Sequence, residues 1–150
     1  MSTNGVFISS WRRRTAGALI TLALTVAGVF GVAGAAAAAP SDCGVGYHCT
    51  YSGYNYGNDA WQQPSTHKFL HCVDEMYIGW RSYMNVASSA FNDGRLQTSY
   101  LYAGAKKTGK WISFGVGKGT ANLGTRDFND TAASGYFSST LGSSGSALCR

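Results

Sequence analysis

RSYMNVASSAF at 81–91 and RDFNDTAASGY at 126–136 carry one pattern twice. Setting Arg81 on Arg126, a shift of 45 residues, brings Tyr83 onto Phe128, Asn85 onto Asp130, Ala87 onto Ala132, Ser89 onto Ser134 and Phe91 onto Tyr136. Every second position agrees in chemical type while the residues between them drift. The correspondence runs backwards along the chain: Thr50-Tyr51-Ser52-Gly53 stands against Leu101-Tyr102-Ala103-Gly104, and Trp61 against Trp111. Each unit reads as a strand with a tyrosine, a glycine-containing hairpin, a tryptophan strand, a variable middle and an N/D-x-A-x-S segment. Two such units, over about 47–91 and 98–137, predict a pair of Greek keys packed face to face, since neither buries its apolar face alone.

No helical period survives after residue 38. Short alternating runs, HCTYS, HKFLHC, MYIGWRSY, TSYLYAG and KWISFGV, each read as a strand of four to eight residues. Turn clusters GYNYGND, SSAFNDGR and GAKKTGK separate them, and the spacing indicates an all-β sandwich. The Gly/Ser-rich tail, 138–150, is pinned by Cys149.

The first 38 residues read as a signal peptide. WRRRTAGALI supplies a cationic start, residues 16–39 carry no charge, and AGAAAAAP suits a signal peptidase, with Ala36 and Ala38 in the A-x-A positions. The same uncharged run is long enough for an uncleaved anchor, which its glycines and alanines disfavour. Cleavage leaves one domain, 39–150, that is secreted and has no membrane attachment. Arg12, Arg13 and Arg14 leave with the leader, so nine basic residues face 7 acidic ones, a net charge of +2. That balance, with no basic run longer than Lys106-Lys107, excludes nucleic acid as a partner. A monomer is expected. Cys43, Cys49, Cys72 and Cys149 all lie in the exported part, an even number in an oxidising compartment, and therefore read as disulfides. Of the three pairings, Cys43–Cys49 is the local choice and leaves Cys72–Cys149 to tie the end of the chain to its middle. On chain-entropy arithmetic these contribute about 2.4 and about 4.5 kcal/mol.

A tyrosine, a glycine-rich folded hairpin and then N/D-N/D-x-x-S/T-S resembles the Greek-key signature of βγ-crystallin domains, here MNVASS at 84–89 and NDTAAS at 129–134. The leader, the C-x5-C loop and the CTYSG run that begins at its second cysteine are similar to the small actinobacterial secreted metalloproteinase inhibitors, which share that fold. The resemblance covers about 42–137. It implies an all-β, βγ-crystallin-like sandwich in which Ser89 and Ser134 hydrogen-bond back to the folded hairpin of their own unit. It also implies Ca²⁺ between the two loops, held by a carboxylate or amide oxygen from one motif, a hydroxyl from the other and backbone carbonyls. Met84 and Ala133 each stand where an oxygen belongs. Crossing the motifs, Asp130 with Ser88 keeps both side-chain donors, whereas Asn85 faces Ala133 and loses its hydroxyl. Any Ca²⁺ site, with Asp130, Ser88 and Asn85 as the candidate ligands, is therefore expected to be single and weak; no cofactor is required.

Other constellations are weaker. His67, His71 and Cys72 in HKFLHC, with His48, suggest zinc, but Cys72 would have to leave its disulfide, and solvated strand histidines are expected instead. No G-x-S-x-G, H-E-x-x-H or P-loop pattern is present, and Asp74-Glu75 are adjacent, so an enzyme is not expected. The resemblance implies a secreted inhibitor that binds an extracellular peptidase. The alternatives are a weak Ca²⁺-binding or structural extracellular module, and an antimicrobial toxin on the same scaffold. In the known inhibitors a short second disulfide braces the inhibitory loop; this chain has no cysteine between Cys72 and Cys149. The exposed candidates are AGAKKTGK at 103–110 and EMYIGW at 75–80.

Overall fold

The computed structural model describes residues 38–59, 61 and 66–150. The expected leader, apart from Ala38, lies outside the described residues. Ten strands form among them: β1 (His48–Tyr51), β2 (Thr66–Phe69), β3 (Cys72–Val73), β4 (Tyr77–Ile78), β5 (Arg81–Ser82), β6 (Ser89–Asn92), β7 (Ser99–Tyr102), β8 (Trp111–Phe114), β9 (Lys118–Thr120) and β10 (Ser134–Phe137). They build two four-stranded antiparallel sheets, in the orders β2-β1-β6-β9 and β3-β10-β7-β8, with β4 and β5 as a separate hairpin. The two orders are the same under the repeat, except that each sheet takes its outermost strand from the other unit. β3 joins the second unit's sheet and β9 the first unit's. The all-β pair of Greek keys is the predicted architecture.

Register corrects the expected match of Trp61 with Trp111. Tyr51 pairs with Ser89 and Thr66, and Tyr102 with Ser134 and Trp111. Thr66, not Trp61, is therefore the counterpart of Trp111. Fifteen positions separate Tyr51 from Thr66 but only nine separate Tyr102 from Trp111. Trp61 falls in the extra length of the first hairpin and is 94% exposed. Three further expectations need correction. SSAFNDGR is not all turn, because Ser89–Asn92 is an inner strand with partners on both sides. MYIGWRSY is not one strand, because Gly79 takes a left-handed φ of 61° and folds it into the β4–β5 hairpin. β2 ends at Phe69, so His71 lies beyond it.

Alternation along each strand divides two kinds of core. Facing inward, Phe69, Ala90, Leu101, Ile112, Phe114 and Phe137 pack with Tyr83, Met76, Leu123 and Phe128 from the connections. Phe69 of one sheet meets Phe137 of the other edge to face, ring centres 5.6 Å apart. A Cβ on Gly135 would come within 2.4 Å of the Phe69 ring, so the sheets approach this closely only over glycine. Facing outward, each sheet carries a smaller cluster under a strap held by a disulfide. Cys43–Cys49 holds the first, over Tyr51 and Phe91, and Tyr51 donates to the Asp42 carboxylate at 3.0 Å. Cys72–Cys149 holds the second, over Tyr136, which donates to the Asp74 carboxylate. These are the two expected pairings.

The serines that open β6 and β10 lock the folded hairpins. Ser89 Oγ donates to Gly53 O at 2.7 Å and accepts from Tyr56 N at 3.0 Å. Ser134 Oγ donates to Gly104 O at 2.7 Å and accepts from Lys107 N at 3.2 Å. Each hairpin has two consecutive left-handed residues, Asn55–Tyr56 and Lys106–Lys107, whose curled backbone leaves these polar groups for the serine to satisfy. Ser89→Ala and Ser134→Ala should each lower unfolding free energy by about 1–3 kcal/mol in denaturant titrations, the cost of stranding buried partners.

Two histidines lie in the core rather than in solvent. His48 is fully buried, stacked on Phe69 and bonded through Nδ1 to Ser99 Oγ at 2.6 Å, with no partner for Nε2. His67 is buried beside Tyr83, with no partner for Nδ1. Burial pushes His48 down to about 3, helped by His67 nearby, and burial pushes His67 down to about 4 against a hydrogen bond with the Tyr77 backbone. Both are neutral when folded, whereas the unfolded chain protonates them near the ordinary imidazole value of 6.5. Stability from this source is complete well above pH 6.5 and falls as the pH drops through that value, towards about 4 for His67 and about 3 for His48. Thermal melts across that window should show the loss, and His67→Phe should remove the His67 share of it while the His48 share remains.

Candidate functional site

The motif loops meet their counterparts across the pseudo-twofold. Asn85 N donates to Ala132 O at 2.8 Å and Asp130 N donates to Ala87 O at 2.9 Å. Both residues take left-handed backbone, at φ of 61° and 48°. Asn and Asp tolerate that region better than most side chains, so these positions have a backbone reason for their residue type. Met84 packs its side chain against the inner core, and Ala133 is buried with no oxygen to offer.

Asp130 and Ser88 are brought together. Ser88 Oγ donates to Asp130 Oδ1 at 3.4 Å, and Asn129 Nδ2 donates to Asp130 Oδ2 at 2.7 Å. Asn129 Oδ1 is buried without a partner. One carboxylate, one hydroxyl and one unsatisfied amide oxygen on neighbouring residues are hard donors that fit a single weakly held Ca²⁺. Asn85 has no such company, because Ala133 supplies no hydroxyl. The histidine set does not form a zinc centre among the described residues: Cys72 is bound to Cys149, His71 is exposed and His67 is buried.

Three exposed segments differ in backbone. In 103–110 the chain curls: Gly104 N bonds Thr108 O at 2.9 Å, Lys106 and Lys107 are left-handed, and the Lys107 ammonium binds Leu141 O. In the 75–82 hairpin, Met76 is fully buried and anchors the base through Met76 N–Ala133 O at 2.9 Å. Its tip carries Trp80, 84% exposed, with the Arg81 guanidinium 4.9 Å from the ring centre.

The third segment, 93–98, joins the two Greek keys; its first three residues belong to the SSAFNDGR turn cluster and Thr98 to the TSYLYAG strand. No residue in it has a positive φ. Fully buried Asn92 holds both of its ends. Its Oδ1 accepts from Gly94 N at 2.8 Å, while its Nδ2 donates to Gln97 O at 2.9 Å and to Phe114 O at 2.8 Å. Beyond these, Gly46 N bonds Asp93 O at 2.8 Å and Ser138 N bonds Thr98 O at 2.9 Å. A Cβ on Gly94 would strike Asn92 Oδ1 and the Phe137 ring at 2.6 Å, so only glycine permits this brace. Between the braced ends Arg95 and Leu96 stand out, Leu96 91% exposed. A cavity of about 320 Å³, lined by Val45, Leu70, His71, Leu96 and Phe137, opens beside them. The sequence signal was an arginine–leucine pair in a short link between repeats, which spacing alone does not separate from an ordinary turn.

No protein-family model and no curated protein matches the chain. Solved structures do. One, concerned with the evolution of the eye-lens βγ-crystallin domain fold, is 19% identical, with 63% of this chain and 86% of that one covered and a TM-score of 0.52. An archaeal βγ-crystallin is 10% identical, over 63% of this chain and 99% of its own, at a TM-score of 0.48. Spherulin 3a from Physarum polycephalum is 18% identical, over 65% and 87%, at 0.47. The chain has the βγ-crystallin fold. At this identity the likeness shows the fold alone.

Proposed function

We propose that this chain is an exported protein that binds and inhibits an extracellular peptidase, docking through residues 93–98. The observation that supports the reading is the Asn92 brace. One buried amide bonds the backbone on both sides of an exposed dipeptide, so little conformational freedom is left to lose on docking. That is the rigidity an inhibitory loop needs, supplied here by hydrogen bonds instead of a second short disulfide. The two loops favoured from sequence suit it less: 103–110 is curled by two left-handed residues, and 75–80 is one arm and the turn of a hairpin. Disulfide straps over both outer faces accord with export to an oxidising space.

A panel of metallo-, serine, cysteine and aspartic peptidases, titrated with the full-length chain, should reveal at least one that is inhibited at roughly nanomolar to micromolar concentration. Leu96→Asp, at an exposed position, should weaken that inhibition by about tenfold or more without changing the melting temperature. Asn85→Ala should leave it intact. Inhibition of none of them would end the reading.

The alternative, a weak Ca²⁺-binding module, draws support from the Asp130–Ser88 contact and the orphaned Asn129 oxygen. One carboxylate implies a dissociation constant of roughly 10⁻⁴–10⁻³ M. Millimolar Ca²⁺ should then raise the melting temperature slightly, by mass action on the folded state. Asp130→Ala should abolish the shift and Asn85→Ala should leave most of it. Two tight sites by calorimetry would contradict this account.

A further inference from the structure

We infer that the Arg95–Leu96 peptide bond is presented as a substrate-like reactive bond to a serine peptidase that cleaves after arginine. This rests on the inhibitor reading above and adds the partner's specificity and the mode of inhibition. Arg95 is exposed and, among the described residues, its guanidinium has neither a hydrogen bond nor an ion pair. A free guanidinium on a rigid loop complements a specificity pocket with a carboxylate at its base, where a bidentate, desolvated pair forms. Leu96, next in the chain and 91% exposed, is the apolar residue on the leaving side, and the cavity beside it gives room for the rim of the partner's cleft.

The brace accounts for inhibition rather than digestion. In the peptidase the serine oxygen adds to the Arg95 carbonyl carbon, the Arg95–Leu96 C–N bond breaks, and its electron pair leaves with the Leu96 nitrogen, which takes a proton from the catalytic histidine. An ordinary product then diffuses away and water hydrolyses the acyl ester. Here Asn92 Oδ1 holds Gly94 on the acyl side and Asn92 Nδ2 holds Gln97 on the amine side. Ser139 N on Gln97 Oε1 at 3.0 Å and Ser138 N on Thr98 O hold the amine side further. The freed amine of Leu96 stays beside the ester, attacks it, re-forms the peptide bond and expels the serine. High effective concentration of the held amine favours resealing over hydrolysis. Cys72 lies before the bond and Cys149 after it, so a chain cut at 95–96 remains one covalent molecule.

The test is steady-state inhibition by the full-length chain of three purified peptidases: a serine enzyme that cleaves after arginine, a serine enzyme that cleaves after large apolar residues, and a zinc metallopeptidase. The arginine-specific enzyme should be inhibited most strongly. Arg95→Lys should retain inhibition within about tenfold and Arg95→Glu should lose about 100-fold or more, with unchanged melting temperatures. Long incubation should yield a species heavier by one water, which reduction separates into two chains at 95–96. Asn92→Asp, which keeps the acceptor for Gly94 and removes the donors to Gln97 O and Phe114 O, should lower stability and also shift the mixture towards the cut form; a purely structural role would lower stability and leave that ratio alone. Strong inhibition of only the apolar-specific or metallo- enzyme, unaltered by Arg95→Glu, overturns this inference and leaves the inhibitor reading standing. Rapid digestion by the arginine-specific enzyme overturns it as well, and no inhibition of any peptidase overturns both.

Discussion

Each sheet is finished by a strand from the other repeat, and most of the molecule follows from that exchange. β3 leaves the first unit to pair with β10, and β9 leaves the second to pair with β6. Without its borrowed strand each sheet would show β6 or β10 as an open edge, with unpaired backbone groups and outward aromatics uncovered. The two Greek keys are therefore one cooperative structure. Their reciprocal bonds, Asn85 to Ala132 and Asp130 to Ala87, repeat the same dependence in the loops. Cys72 sits on the exchanged strand, so its link to Cys149 fixes the chain terminus to the crossover itself.

The exchange also shapes the segment between the repeats. The chain must leave β6 in one sheet and enter β7 in the other within six residues, and Asn92 sits at the point of departure. Its buried amide would strand three backbone groups if it were lost, including Phe114 O in the opposite sheet. A side chain required by the core thus stiffens the 93–98 link, and a stiff link displays its middle residues. The hairpins cannot do the same, because their backbones are curled to accept Ser89 and Ser134.

The repeated motif serves two purposes that this chain separates. The folding half is intact in both copies: a serine to lock the hairpin and an Asn or Asp at a left-handed position. The half that the resemblance to βγ-crystallin domains assigns to ion binding is depleted, since Met84 contributes to the core and Ala133 is buried without a hydroxyl. Substitution at those two positions costs the fold little, because neither oxygen is needed to close a hairpin or to bridge the loops. The backbone bond from Asp130 N to Ala87 O holds the Asp130 carboxylate among polar neighbours.

By itself the sequence determined the fold class, the serines that end each motif and the disulfide partners, because those depend on a period of two, a 45-residue repeat and local cysteine spacing. Such signals are carried by residue type at fixed separation. It did not determine which residue matches Trp111, since the longer first hairpin breaks the spacing and only ladder register identifies Thr66. It misread His67 as solvated, because alternation within a short strand does not say which face the second sheet covers. The bracing of Arg95 and Leu96 was also decided only in three dimensions. Asn92 reads as one more polar turn residue until Phe114, from the other sheet, buries its amide and makes all three of its hydrogen bonds obligatory.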